Sequence, residues 1–379
     1  MIIKRTMLDS KNPLVRLLST YVLWLGSEVL GGSLIYLYFR DSGISETGLV
    51  FGTLFWALAP LPVIALLNKK TMDFRQLMFL GIAARAAGYG AVAFLPPSME
   101  LFIFYCLMLG VPSFIFWAPF NIMYFEMSRG RAAQFGSVYF SMTQILGLVL
   151  PLAAGMIAMG FGMQAVFACA AFLYATVLVP VSALEDRKEK YSFDESAKEL
   201  KGFKTLILVE GVYGGGVATA FVVIPLLYFK TPLELGAYIS ATTILSIIAS
   251  FIASRLSDKM KKRRRYIDVF GSGLSLTTIA ATFASTAGLW YVAVSVRNFF
   301  STLFYPFTTA IIVDSGRDMT KSMVMREFLL NVGRVFGILA VLFFTFFLSN
   351  IHLSLALLGA VLLFYPLIIE LKKRHINVA

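Results

Sequence analysis

Charge is scarce in this chain. Only 14% of its 379 residues are Asp, Glu, Lys or Arg, against about 25% in soluble domains. Histidine is scarcer still. His352 and His375 stand far from other ligating side chains, so no metal centre is expected. Cys106 and Cys169 both fall inside apolar runs, where inert buried thiols are expected rather than a disulfide. Strict apolar–polar alternation is also missing, which excludes a membrane β-barrel with its alternating segments of roughly ten residues. The first apolar run is too long for a signal peptide and has no A-x-A-like site, so no cleaved leader is expected.

Apolar residues fill the space that charge leaves. They make up 58% of the chain. Runs of about twenty residues recur from Leu14 to Ile369, and at 1.5 Å of rise per residue such runs cross about 30 Å of hydrocarbon. The chain therefore reads as an all-α polytopic membrane protein in a lipid bilayer. The runs give twelve spans, near 14–39, 45–67, 75–95, 99–124, 133–159, 162–183, 205–229, 233–256, 266–286, 288–313, 323–349 and 351–371. Between the sixth and seventh lies the longest polar segment, "EDRKEKYSFDESAKELKGFK", 185–204. It divides the chain into an N-terminal six-helix bundle (1–183), a partly helical linker (184–204) and a C-terminal six-helix bundle (205–379).

The net charge of +12 does not point to nucleic acid, because the basic residues cluster in alternate loops. Lys4, Arg5, Lys11, Lys69, Lys70, Arg129, Arg131, the linker, Lys259 to Arg265, Arg317, Lys321 and Lys372 to Arg374 fall on one side, and only Arg40 and Lys230 on the other. That asymmetry places both termini in the cytoplasm and the protein in the cytoplasmic membrane.

The halves repeat. "LYFR" at 37–40 recurs as "LYFK" at 227–230, an offset of 190. Gly81 and Gly271, and "QILG" (144–147) and "RVFG" (334–337), keep the same offset, while "WAPF" (117–120) and "FYPF" (304–307) stand 187 apart. Six-plus-six repeats are a common transporter architecture.

With these repeats, the chain resembles the major facilitator superfamily over its whole length. "SRLSDKMKKRR" (254–264) is similar to the family's cytoplasmic loop motif, G-x-L-a-D-r-x-G-R-R. Leu256, Asp258 and Lys259 fit, Lys262 and Arg263 supply the basic pair, and Ser254 and Lys261 replace the glycines. The resemblance implies a cytoplasmic gate at Asp258, Lys259 and Arg263; the competing reading is that these charges only set topology. The matching first-half loop (65–75) keeps Leu66 and Lys69 but has Asn68 in place of the Asp. "GLVLPLAAG" (147–155) resembles a decayed antiporter motif through Pro151 and Gly155, with a simple packing kink as the favoured alternative. Arg297 is similar to the arginine of the family's R-x-x-q-G motif, but it stands in span 10, and span 4 has Gly110 at the matched place.

Ionisable side chains at mid-membrane are rare and default to function. Glu28 and Arg85 lie near the middle of spans 1 and 3, and Glu210 in the inner third of span 7. Arg297 is roughly 14 Å into span 10 and Arg334 roughly 18 Å into span 11. Helical spacing aligns Tyr21, Trp24 and Glu28 on span 1, Trp117, Asn121 and Tyr124 on span 4, and Asn298, Ser301, Thr302 and Tyr305 beside Arg297 on span 10. In the family such faces on spans 1, 4, 7 and 10 line the substrate cavity. On span 11, Glu327, Asn331 and Arg334 form one polar face, and Gly333 and Gly337 a packing face about 100° around. Arg334 replaces Gln144 of the first half. Arg326 and Glu327, nearer the helix start, are expected to snorkel toward water or to pair with loop residues.

The sequence thus points to a secondary transporter that moves a small organic solute by alternating access, without a cofactor and without catalysis, as a monomer. An excess of Arg85, Arg297 and Arg334 over Glu28 favours an anionic cargo, unless Glu28 and Glu210 each neutralise an arginine. Protons are the candidate coupling ion and Glu28 their candidate carrier, with a structural Glu28–Arg85 pair as the alternative. The rival functions are a broad exporter of amphipathic compounds, a receptor of the same fold, and a membrane enzyme acting on lipid-linked substrates; the basic loops disfavour the last.

Overall fold

Apolar runs of this length have one economical solution in hydrocarbon, a helix whose backbone groups are bonded internally. The computed structural model describes residues 13–127, 132–200, 202–257, 263–315 and 318–371. Ten of the expected spans are long and apolar enough to cross a bilayer, among the described residues. They are spans 1 to 8 at Pro13–Asp41, Glu46–Leu67, Phe74–Phe94, Met99–Met127, Ser141–Phe161, Met163–Ser182, Lys204–Tyr228 and Pro232–Ala253, and spans 11 and 12 at Met319–Phe347 and His352–Leu371. The helices Arg263–Ala281 and Ala287–Ser315 occupy the places of spans 9 and 10. Phe94, Phe161, Phe283 and Phe347 project outward as exposed aromatics, as suits a lipid-facing surface.

Several spans are broken helices, and proline marks half of the breaks. Pro60, Pro112 and Pro225 each open a new short helix within spans 2, 4 and 7. Proline cannot donate to the preceding turn. Span 1 breaks after Gly32, and its second helix, Ile35–Asp41, starts from Leu34. Leu34 and Ile224, where spans 1 and 7 break, stand at the repeat offset of 190.

Small residues set the closest helix contacts. Gly333 and Gly337 of span 11 face span 7, where an added Cβ would lie 2.5 Å from Leu208 O and 2.0 Å from Val212 O. Span 7 answers with Gly211 and Gly215, which meet Leu330 O at 2.5 Å and Arg334 Cα at 2.4 Å. The expected G-x-x-x-G face is therefore one side of a two-sided glycine seam. Spans 5 and 8 approach in the same way. A Cβ on Gly236 would lie 2.2 Å from Pro151 O, and one on Gly155 2.7 Å from Pro232 O. Pro151 and Gly155, the residues that resemble an antiporter motif, here serve helix packing.

The linker is more ordered than a polar tether. Its residues Lys188–Lys190 form strand β2, which pairs antiparallel with strand β1, Thr71–Asp73, from the loop between spans 2 and 3. This two-stranded sheet is a small departure from an all-α chain. A helix, Phe193–Glu199, follows β2. Asn68 Oδ1 accepts from Phe193 N at 3.0 Å, so the residue that replaces the family's aspartate anchors this helix. At its other end Glu199 Oε1 accepts from Asp318 N, and in its first turn Glu195 pairs with Lys321 at 2.7 Å. Asp258 and Lys259 lie outside the described residues, as does the side chain of Arg263.

Candidate functional site

Three clusters of buried charge converge between the helices. In the first, the polar face of span 1 meets spans 3 and 6. Arg85 Nη1 pairs with Glu28 Oε2 at 2.8 Å, and Tyr174 OH donates to the same oxygen at 2.5 Å. The Arg85 guanidinium also lies 5.4 Å over the ring of Trp24, which stacks on Phe116 at 3.6 Å. Arg85 is only 5% exposed, and a charge so buried needs this compensation. The structural pairing anticipated for Glu28 and Arg85 is thus present.

In the second cluster, Arg326 bridges two carboxylates. Its Nη2 donates to Glu210 Oε1 of span 7 at 3.0 Å, and its Nη1 to Glu327 Oε1 at 3.2 Å. Here the sequence reading of Arg326 and Glu327 needs correction. They pair with each other, and Arg326 also with Glu210 of span 7, not with a described loop residue. Glu327 is 4% exposed, because the glycine seam holds span 11 against span 7 and turns this face inward.

In the third, arginines stand without a carboxylate. Arg334 Nη1 donates to Asn331 Oδ1 at 2.9 Å, and its guanidinium lies 5.2 Å over the ring of Trp56. Arg297 donates to Tyr213 OH and Asn298 Oδ1 at 3.3 and 3.0 Å, and lies 5.0 Å over Phe221. Neither forms an ion pair with a described acid, whereas Arg85 and Arg326 do. The anticipated neutralisation by Glu28 and Glu210 therefore consumes Arg85 and Arg326, and leaves Arg297 and Arg334 without an ion pair, with Glu327 as a second carboxylate on Arg326 and one positive charge in excess over the three clusters.

These groups border two cavities. The larger, about 460 Å³, is lined by Glu28, Tyr36, Trp56, Phe221, Arg297 and Asn298 among others. The smaller, about 370 Å³, is lined by Trp24, Arg85, Trp117, Asn121, Arg326 and Arg334, with Glu327 and Tyr139 beside them. Glu28, Trp56 and Leu109 border both, so the two chambers adjoin at these side chains. In the smaller chamber Trp24 Nε1 and Asn121 Oδ1 are buried without a hydrogen-bond partner. Unsatisfied polar atoms in a cavity wall are what a polar ligand would meet.

The structure thus brings Trp24, Glu28, Arg85, Trp117, Asn121, Arg297, Asn298 and Arg334 to the cavities. Asn331 and Glu210 sit just behind, holding Arg334 and Arg326. Tyr124 packs among Phe120, Phe125 and Tyr139, and Tyr305 against Phe304. Gln144 Nε2 reaches Thr302 Oγ1 of span 10 at 3.4 Å, outside both chambers. Sequence reading missed Trp56, because a lone tryptophan in an apolar helix carries no stripe.

A multi-pass helical membrane protein with charged chambers between its helices is the class that this fold and site define. More narrowly, the chain belongs to the Major Facilitator Superfamily, whose family model matches residues 17–337. Two relatives come from Bacillus subtilis strain 168. The uncharacterized MFS-type transporter YqjV is 31% identical over 114 residues, 29% of this chain and 27% of the relative. The uncharacterized protein YqgE is 24% identical over 279 residues, 66% of this chain and 64% of the relative. The matches thus span less than two thirds of either relative. Among solved structures, a POT family transporter in complex with a thioalcohol-conjugated peptide is similar with a TM-score of 0.71 and 12% identity, covering 96% of each chain. The human organic anion transporter MFSD10 has a TM-score of 0.66 at 13% identity, covering 94% of this chain and 99% of that one. At such identities these likenesses concern the fold.

Proposed function

We propose that this protein is a secondary transporter for a small organic anion, moved across the cytoplasmic membrane by alternating access. Arg297 and Arg334 carry this reading. They face the two chambers at mid-span with neutral hydrogen-bond partners only, and a guanidinium so placed is suited to bind a carboxylate or similar anion in a fork. The aromatic wall of the larger chamber, with Tyr36, Trp56 and Phe221, would take an apolar body attached to that anion. The bundles 1–183 and 205–379 are the units that rock, a monomer suffices, and the basic linker side faces the cytoplasm.

Counterflow in proteoliposomes with a mixed panel of labelled anions tests this. Exchange of at least one anion is expected, with a loss of about tenfold or more in Arg297→Gln and in Arg334→Gln, as one charge-assisted contact of roughly 1.4 kcal/mol or more would give. Exchange of neutral or cationic compounds alone would overturn it. The apolar wall also fits the rival reading of a broad exporter of amphipathic compounds, which predicts that a host lacking the protein becomes sensitive to uncharged and cationic drugs.

A further inference from the structure

The cluster at the head of span 11 is short of positive charge. Glu210 and Glu327 both place an oxygen on the one guanidinium of Arg326, and both are 4% exposed. Glu210 Oε2 and Arg326 Nε are buried with no hydrogen-bond partner. The other groups in reach come from six elements. Tyr139 of span 5, Tyr305 of span 10 and Tyr365 of span 12 are phenols, which carry no charge near neutral pH. Glu28 and Arg85, from spans 1 and 3, face the same chamber but cancel each other. Arg334 of span 11 lines the same chamber as Arg326 and Glu327, yet its hydrogen bond goes to Asn331. Charge balance at the pair therefore needs either the positive charge of Arg334 or a proton.

We infer that Glu210 and Glu327 form a proton-binding pair, with Arg326 as its fixed counter-charge and Arg334 as a counter-charge that a bound anion withdraws. The inference rests on the anion reading given above. With the site empty, two carboxylates face two guanidiniums. An anion that pairs with Arg334 leaves the carboxylates with Arg326 alone, and one proton then bonds to a carboxylate oxygen, Glu210 Oε2 being the unoccupied one. When the anion leaves, Arg334 again balances the pair and the O–H bond breaks. One proton thus travels with one anion in the same direction. Glu28 is unsuited to this work, because Arg85 matches it one to one and Tyr174 occupies the shared oxygen.

The proton itself is the probe, so no cargo has to be known. The full chain is reconstituted in liposomes and titrated by infrared difference spectroscopy, which reads the carbonyl band of a protonated carboxyl. Pre-steady-state currents after pH jumps on a solid-supported membrane give a second readout. In the wild type, acidification should produce both signals. The double variant Glu28→Gln with Arg85→Gln, which removes that ion pair whole, should retain the buried, slowly deuterium-exchanging component of the band, and Glu327→Gln and Glu210→Gln should remove it, leaving the background that exposed Asp and Glu give. In Arg334→Gln the carboxyl band should already be present at a higher pH than in the wild type. Loss of that buried component in the Glu28→Gln, Arg85→Gln double variant, or its persistence in both Glu210→Gln and Glu327→Gln, overturns the inference. If Glu210→Gln does not fold, because Arg326 loses a buried partner, Glu327→Gln and Arg334→Gln decide by the same criteria. Anion counterflow is run on the same vesicles. Counterflow without a proton signal overturns this inference alone, and a proton signal without counterflow overturns the anion reading.

Discussion

Arginine can sit at mid-membrane only with its charge accounted for, and Arg85, Arg297, Arg326 and Arg334 do this differently. Arg85 and Arg326 are held by carboxylates, Arg297 and Arg334 by amides and aromatic faces. Truncation should separate the two kinds. Arg85→Ala strands Glu28 and should lower stability by about 3–5 kcal/mol, as removal of one partner of a buried pair does. The double variant Arg85→Gln with Glu28→Gln should recover much of that loss in a thermal-unfolding cycle. At Arg297 the neutral partners predict little loss of stability. Helical-face arithmetic was enough to bring Trp24, Glu28, Arg297 and Arg334 to the cavities, because a charged or amphipathic group at mid-depth has few other places to go. Partners were not legible in that way. Nothing in the spacing says that Arg326 turns to Glu210, since this depends on the angle at which spans 7 and 11 cross.

That crossing is set by glycine. Gly337→Ala should cost about 1–3 kcal/mol, since its Cβ would meet Val212 O at 2.0 Å and the backbone there has nowhere to move. Gly214→Ala is the control. It lies on the same face-to-face pair of helices but meets nothing within 4 Å, so its melting temperature should hold or rise slightly. The glycine pattern on span 11 was readable from the sequence, but its complement on span 7 was found only in the fold. The linker helix is the other element that sequence left half-described. Lys321 beside Glu195 holds that carboxyl below its ordinary value, through their hydrogen bond and then their charges. The contact therefore contributes fully above the ordinary carboxylate range of about 4.3 and is lost as pH falls through the lowered value. Amides of 193–199 should exchange hydrogen faster at acid pH, and Lys321→Ala should show that faster exchange already at neutral pH.

At the scale of the whole molecule, spans 1 and 7 are tied at the end opposite the linker. Arg40 donates to the carbonyls of Leu226 and Lys230 at 2.6 and 3.2 Å. Such a tie must break for the larger chamber to open at that end. Arg40→Ala should therefore speed thiol labelling of Val222→Cys, a position on the chamber wall, severalfold in a Cys-free background. The apolar spans were legible because hydrophobic length is a one-dimensional quantity. The pairing of β1 with β2 was not, because it joins short polar segments more than a hundred residues apart. That small sheet has a practical consequence. A chain interrupted between Lys188 and Tyr191, by a reporter insertion or by expressing the halves as two polypeptides, would lose the segment that seats on the loop between spans 2 and 3. A junction placed after the linker helix, near 202–203, would leave that segment on its own half, so the two positions should differ sharply in whether separated halves reassemble.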